Sequence, residues 1–268
     1  MRRSAALLLL VTIPFLSILV NCSSDSGTDQ GLAPELPPLN TLVWNFDIID
    51  ADAGRIAAGT NWTYSAGTVA VWNTAISLTL AIPVASFAEA FNHEPQFDAS
   101  IAGWVWEYDY QAFAKTYQAR LEAELDTEEI TWKMYISEDG IFSDFLWYEG
   151  TSKLDGLSGQ WVLYKDPTEA NPFIQIDWNR NALDGEVAAI RYLNVTPEST
   201  DNGSYIFFQA DNSEFNRTYD VFSNPQNNLT EIEWNSTSKS GQVKDPNFFE
   251  DSDFHCWDEG LEDIDCAS

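Results

Sequence analysis

The chain has few basic side chains. Thirteen lysines and arginines stand against 42 aspartates and glutamates in 268 residues, which gives a formal net charge of −29. A surface of this charge repels nucleic-acid phosphates and anionic lipid headgroups. The composition therefore argues against a nucleic-acid partner and is typical of a strongly hydrated surface, a cation-binding surface or a protein from a salty habitat.

Histidine and the common catalytic motifs are also scarce. His93 and His255 are the only histidines, and neither has a recognisable catalytic spacing. Gly-x-Ser-x-Gly, His-Glu-x-x-His, P-loop and dinucleotide fingerprints are absent. Carboxylate pairs such as Glu122/Glu124 have the residue type that glycoside hydrolysis needs, but so many acidic residues produce such pairs by chance. We predict no catalytic residues, and the sequence leans against an enzyme without deciding the question.

Cysteine is rare and odd in number, with Cys22, Cys256 and Cys266. An odd count in a secreted chain leaves one thiol to be explained. We predict that Cys256 and Cys266 pair, because closing this short loop stabilises by about 2.5–3 kcal/mol in the chain-entropy model. A metal site is the alternative, but His255 is the only imidazole nearby and no CxxC spacing exists. We predict no metal at these cysteines.

The remaining cysteine follows a signal-like N-terminus. Arg2 and Arg3 precede an apolar run over residues 5–20, which is short for a membrane span and typical of a secretory signal. Leu19-Val20-Asn21-Cys22 resembles the lipobox of bacterial lipoproteins, although Asn21 stands where that family has Gly, Ala or Ser. The resemblance implies a signal peptide over residues 1–21, acylation of Cys22 with a chain such as palmitate, and a cell-envelope location.

This resemblance also predicts a place for the protein, as an outer-membrane lipoprotein on the periplasmic or the surface face. An ordinary signal peptide cut a few residues later, or an uncleaved anchor, is the alternative. Residues 22–40 are rich in small polar residues and then proline, which predicts a flexible tether. Residues 41–268 are predicted to form a single β-rich domain.

The dominant pattern in that domain is aromatic alternation. In Trp104-Val-Trp-Glu-Tyr-Asp-Tyr the aromatic rings occupy one face of an extended chain, because strand side chains alternate with period two. Similar segments continue to Trp234, separated by turn residues. They predict an antiparallel meander of about ten strands, or eleven with Thr41–Ile48, that forms a barrel or half-barrel. A faint hairpin repeat of roughly 30 residues is marked by Trp147, Trp178, Phe207 and Trp234.

A segment with a helical pattern precedes the meander. Between Thr68 and Ala88 the chain has no charged residue, and its apolar residues recur at helical spacings, which predicts a helical segment over about residues 66–91. Pro83 should kink or interrupt it, because proline lacks an amide hydrogen. A transmembrane helix is the alternative. Internal Asn, Thr and Ser residues and the lack of flanking basic residues favour a helix packed on or in the sheet.

The C-terminal cap, residues 256–266, lies in a segment rich in carboxylates. Such hard oxygen ligands suit Ca²⁺, but the EF-hand order is absent, so a solvated cap is the favoured interpretation. Apart from this calcium possibility we predict no cofactor. The acidic residues are Glu250, Asp251, Asp253, Asp258, Glu259, Glu262, Asp263 and Asp265.

Two functions follow from these elements. A helix followed by about eleven strands on a lipid-anchored chain resembles the lipoprotein-carrier fold of the LolA/LolB type, in the order and number of elements alone. We expect a non-enzymatic envelope protein that binds an apolar ligand or acyl chain on its curved aromatic sheet. The alternative is a surface-displayed glycan- or protein-binding module with a packed core. The sequence does not predict an oligomeric state. The candidate ligand-binding residues are Trp104, Trp106, Tyr108, Tyr110, Trp132, Trp147, Trp161 and Trp178.

Overall fold

The computed structural model describes residues 31–44, 59–183 and 186–266. The predicted signal peptide and residues 22–30 of the predicted tether, Cys22 included, lie outside them. Ala33–Ser268 forms one compact unit that contains every described strand and helix. A chain that starts at Ser23 therefore retains the whole folded body without the predicted signal peptide and the predicted acylation site.

One antiparallel meander makes up most of the body. Each of the fourteen described strands pairs with the next in sequence order, which confirms the mainly β meander. The strands are β1 (Gln96–Asp98), β2 (Gly103–Ala112), β3 (Lys115–Leu125), β4 (Glu129–Glu138), β5 (Phe142–Lys153), β6 (Ser158–Asp166), β7 (Glu169–Arg180), β8 (Val187–Asn194), β9 (Tyr205–Ala210), β10 (Arg217–Ser223), β11 (Asn228–Trp234), β12 (Gly241–Lys244), β13 (His255–Trp257) and β14 (Asp263–Ile264).

The sheet is open. Within the described ranges no ladder joins β1 to β14. These edge strands have three and two residues, and β13 has three. Such lengths are too short to show a period of two, and this explains why the sequence predicted fewer strands.

The predicted strand Thr41–Ile48 is wrong over its described part. Leu39–Thr41 is a 3₁₀ helix, and the amides of Leu42 and Val43 donate to the carbonyl of Leu39. These local bonds occupy the groups that a strand ladder would use. Residues 45–48 lie outside the described residues.

The last part of the predicted tether packs on the body. Pro37, Thr41 and Leu42 are buried, and the hydroxyl of Thr41 accepts a hydrogen bond from the indole nitrogen of Trp161 at 3.2 Å. A depression at the ends of strands β3 and β7 is lined by residues 34–38 together with Leu125 and Arg180. Any flexible tether therefore ends before Pro37.

The helical segment is two helices, α1 (Thr60–Thr79) and α2 (Ala81–Ala90), and it begins earlier than predicted. They meet at Leu80 with a bend of 64°. Pro83 explains the break, because its ring clashes with the carbonyl four residues earlier, at Thr79. Among the described residues no single helix is long and apolar enough to cross a membrane, and only the bent pair passes by length and composition. A one-turn helix, α3 (Pro246–Phe249), follows β12.

The helices cross the sheet from its last strands to its first. The side-chain amide of Asn61 in α1 donates to the carbonyl of Cys256 in β13 at 2.9 Å, and the carbonyl of Ser86 in α2 accepts from the hydroxyl of Tyr108 in β2 at 2.7 Å. A flat sheet would separate β2 from β13 by ~53 Å, whereas helices of these lengths span only ~45 Å before the bend is counted. The sheet therefore curves around the helices, which pack on its concave face.

Tryptophans on that inner face lie opposite glycines. Gly150 in β5 pairs with Trp161 in β6, and a Cβ atom on Gly150 would lie 2.5 Å from the Trp161 ring. The indole therefore fills the space that a side chain would take. The same pairing joins Gly159 to Trp178 and Gly241 to Trp257.

Candidate ligand-binding site

A cleft of about 390 Å³ opens between α1 and strands β7 to β10, and we call it the apolar cleft. Its volume lies within the range of small-molecule sites. Most of its lining is aliphatic or aromatic. The lining residues are Trp72, Ala75, Ile76, Thr79, Ile174, Tyr192, Leu193, Asn194, Asp201, Ser204, Tyr205, Ile206, Val221, Phe222 and Ser223.

Local sequence explains why this cleft exists. Trp72, Ala75, Ile76 and Thr79 recur at spacings of three and four, so they share one face of α1. The small side chain of Ala75 leaves space beside the larger Trp72. At Thr79 the helix ends, and the bend carries α2 away toward β2. Among the described residues, neither α1 nor α2 therefore covers the end of the sheet where β8 turns into β9.

A second cleft of about 730 Å³ lies on the other side of Trp72, between α1, β10, β11 and α3. It shares Trp72, Val221 and Ser223 with the apolar cleft. Its lining mixes aromatic rings with hydroxyl and amide side chains. The lining residues are Thr63, Tyr64, Gly67, Thr68, Val71, Trp72, Val221, Ser223, Gln226, Asn228, Thr230, Asp245, Asn247 and Phe248.

Asp245 is the charged centre of the second cleft. Its carboxylate accepts hydrogen bonds from the side chains of Asn228 at 2.9 Å and Thr230 at 2.6 Å, from the hydroxyl of Tyr64, and from the amides of Asn247 and Phe248. Burial opposes its ionisation, but these bonds hold the pKa of Asp245 below its ordinary value. The carboxylate is therefore ionised at neutral pH and caps α3.

Tyr64 joins this centre to α1. Burial, followed by the hydrogen bond to Asp245, raises the pKa of Tyr64 to about 12. Its ring stacks on Phe248 with centroids 3.9 Å apart. Asp245 and Tyr64 thus fix α3 against α1 and form a rigid wall of the second cleft.

The eight candidate ligand-binding residues lie in the core of the sheet. Trp132 and Trp161 are fully excluded from solvent, and the indole nitrogen of Trp132 donates to the hydroxyl of Ser152 at 2.9 Å. Trp106, Tyr108, Tyr110, Trp147 and Trp178 are buried, and Trp104 is partly buried. The structure therefore brings these rings together as the packed floor beneath α2, and none of them lines the apolar cleft.

Trp147 reaches that floor through an irregularity. Met134 pairs with Tyr148 and Tyr135 with Leu146, so Trp147 is the extra residue of a β-bulge. Tyr148 takes the regular inward position. In β9 the inward ring is Phe208, while Phe207 pairs with Asp220 on the outer face. The faint repeat therefore marks the correct strands but misses the inward residue of β9.

The acidic C-terminal cap holds the start of α1. Cys256 and Cys266 form the predicted disulfide, with Cα atoms 5.2 Å apart. The carboxylate of Asp263 accepts from the amides of Thr60 at 2.9 Å and Asn61 at 3.0 Å. Across residues 31–44, 59–183 and 186–266, no three His, Cys, Asp or Glu side chains are grouped to hold a metal ion. Calcium binding at this segment stays a prediction.

One carboxylate pair lies in a depression on the outer face. Glu107 and Asp109 line it with Arg120 and Asp144, and its volume is about 460 Å³. Arg120 already has partners for its charge. It forms ion pairs with Glu122 and Asp144, and its guanidinium carbon lies 4.1 Å from the Tyr135 ring centroid. The group is therefore an ion-paired surface cluster.

Sequence reasoning missed the residues that line the apolar cleft. Trp72 and Ile76 were recognised as part of a helical stripe, but no periodicity indicates that a helix ends over a sheet and leaves part of that sheet uncovered. In comparisons with known proteins, no family model, no curated protein and no solved structure matches this chain. What the fold defines is a class: an open antiparallel sheet with two helices on its concave face and an apolar cleft between α1 and strands β7 to β10.

Proposed function

We propose that the protein is a non-enzymatic lipoprotein of the cell envelope that binds an apolar ligand or acyl chain. The binding site is the apolar cleft between α1 and strands β7 to β10. The protein is anchored in the outer membrane through acylated Cys22, and its folded body begins near Ala33.

The observation that carries this proposal is the apolar lining of an open cleft. Burying alkyl carbon contributes roughly 0.8 kcal/mol per methylene, so a cleft of about 390 Å³ lined largely by aliphatic and aromatic side chains favours an alkyl chain.

A matched pair of substitutions tests the site. Ala75 and Thr74 are neighbouring exposed residues of α1, but only Ala75 lines the apolar cleft. In the body expressed from Ser23, Ala75→Asp should weaken dodecanol binding at least tenfold in calorimetric titrations, because it places a carboxylate against the alkyl chain. Thr74→Asp adds the same charge and should leave binding within about twofold. Equal loss in both variants, or no binding by the parent protein, would contradict the proposal.

Mass spectrometry tests the ligand and the anchor in one preparation. Protein purified from its own cells should carry an acyl modification on Cys22 and should release a bound alkyl compound on denaturation. Cys22→Ser should remove the acyl mass and free the protein from the membrane fraction while the body still binds dodecanol. An unmodified Cys22 in the wild type would remove the anchoring part of the proposal.

A display function is the second candidate. The full exclusion of Trp132 and Trp161 from solvent favours it, because a packed floor leaves no space for a ligand between α2 and the sheet. In that case exposed Trp72 and Phe248 would contact a glycan or protein. Binding of a soluble oligosaccharide together with no uptake of dodecanol would favour this function.

A further inference from the structure

The two clefts adjoin along Trp72. We propose that together they form one site for a single-chain amphiphile whose head carries no net negative charge. The alkyl chain lies in the apolar cleft, and the head lies in the second cleft, on the other side of the Trp72 indole. This inference rests on the proposed function and specifies its class of ligand.

The charges of the lining decide which heads are accepted. No lysine or arginine is among the described residues that line either cleft, whereas Asp245 and Asp201 are. An anionic head would lose hydration without gaining a counter-charge. It would also face the ionised carboxylate of Asp245 near the protein surface, where like charges repel more strongly than in bulk water.

The second cleft provides hydrogen bonds and ring faces to a neutral head. Thr63 and Gln226 are exposed on opposite walls. The Phe248 and Trp72 rings are 49% and 39% exposed, respectively. Asp245 is occupied by five protein donors, so it acts as a fixed negative charge rather than as a direct partner. Hydroxyl-rich heads suit such a surface, because each hydroxyl both donates and accepts.

A pair of probes with the same chain isolates the contribution of the head. Dodecyl maltoside and dodecyl phosphate, both below their micelle concentrations, are titrated into the body expressed from Ser23. The uncharged probe should bind at least tenfold more tightly than the anionic one. Equal affinities, or preference for the phosphate, would overturn the inference and leave the proposed function standing. If neither probe nor dodecanol binds, the proposed function itself fails.

Two lysine substitutions in α1 test where the head of the amphiphile lies. Thr63 and Thr74 are both exposed threonines of α1, but only Thr63 lines the second cleft. Thr63→Lys should raise the affinity for dodecyl phosphate about tenfold and should not raise the affinity for dodecyl maltoside, because it removes a hydroxyl from the head site. Thr74→Lys should change neither. If both lysines raise phosphate binding equally, the effect is one of overall charge, and the placement of the head in the second cleft is wrong. Thermal unfolding of both variants verifies that they are folded.

Discussion

At the scale of single residues, glycines make room for indole rings on the neighbouring strand of the sheet. Gly150 has Trp161 on one side and pairs with Trp132 on the other. Its absent side chain is therefore a packing requirement and not a turn requirement. Gly67, in the exposed part of α1, has no such constraint, because a Cβ atom there would meet nothing within 4 Å.

This contrast gives a paired prediction. Gly150→Ala should destabilise the protein by about 1–3 kcal/mol, since the added methyl overpacks the core. Gly67→Ala should stabilise it by roughly 0.5–1 kcal/mol, because alanine is the better helix former. Urea unfolding of both variants measures the difference. A neutral Gly150→Ala would show that the indole has room to move.

Asp220 is a partly buried carboxylate with two glutamates nearby, so its ionised form is disfavoured. It pairs across strands with Glu231. Burial, and then repulsion by the nearby Glu231 and Glu233, raises the pKa of Asp220 to about 6. The positive charge of Lys244 offsets part of this rise. A carboxyl group whose pKa is raised in the folded state binds its proton at a higher pH when the protein is folded than when it is unfolded. Its penalty is therefore absent below the ordinary pKa of 3.8, grows as pH rises toward 6, and is fully present above pH 6.

Asp220→Asn should therefore stabilise the protein at pH 8. After discounting for partial exposure we expect on the order of 1 kcal/mol, or roughly 2–4 °C in Tm. The gain should nearly disappear near pH 3.5, where the carboxyl is largely protonated in the folded and the unfolded state alike. Differential scanning calorimetry at both pH values tests this, with Asp139→Asn, in the exposed β4–β5 turn, as the control. A gain that is independent of pH would contradict the assignment.

At the scale of elements, the start of α1 is capped from far along the chain. Gly59, the residue before the helix, makes no side-chain cap. Asp263 instead accepts from the first helical amides, and the amide of Gly59 donates to the carbonyl of Leu261 at 2.7 Å. The disulfide between Cys256 and Cys266 closes the loop that presents these groups. The solvent-exposed C-terminal segment therefore also caps the N-terminus of α1.

Removing this cap should loosen α1. Asp263→Ala is expected to destabilise the protein by about 0.5–2 kcal/mol, the range for lost helix caps, and to speed hydrogen exchange in the first turns of α1. Asp265→Ala, two residues away in the same loop, controls for the loss of one charge. Equal effects of both substitutions would contradict a specific capping role.

At the scale of the whole molecule, charge and shape act together. A net charge of −29 disfavours the compact state through self-repulsion, and ion pairs such as Lys244–Glu231 offset only a little of it. Salt screens exposed charges beyond about 10 Å at 0.1 M. The open sheet limits another liability, since its edge strands have only three and two residues and offer little template for pairing.

The folded body should therefore gain stability with salt. Raising NaCl from 10 mM to 500 mM at pH 7.5 is expected to increase Tm by several degrees. The same step at pH 4 should give a much smaller increase, because many carboxylates are then protonated. Parallel thermal scans by circular dichroism measure both. A fall in Tm with salt at pH 7.5 would show that the ion pairs outweigh the repulsion.

The sequence by itself determined the class of fold. Alternation in segments such as Trp104–Tyr110, uncharged helical spacing before them, and Pro83 are local signals, and the meander, the two helices and their break follow from them. The cysteine count likewise led to the Cys256–Cys266 pair. Only the tertiary structure decided where a cleft lies. Trp132 and Trp161 looked like binding residues because inward rings have the same period whether they line a cavity or fill one. The apolar cleft at Trp72 and Ala75 arises because α1 ends above β7 to β10, and this relation between distant segments leaves no periodic trace in the chain.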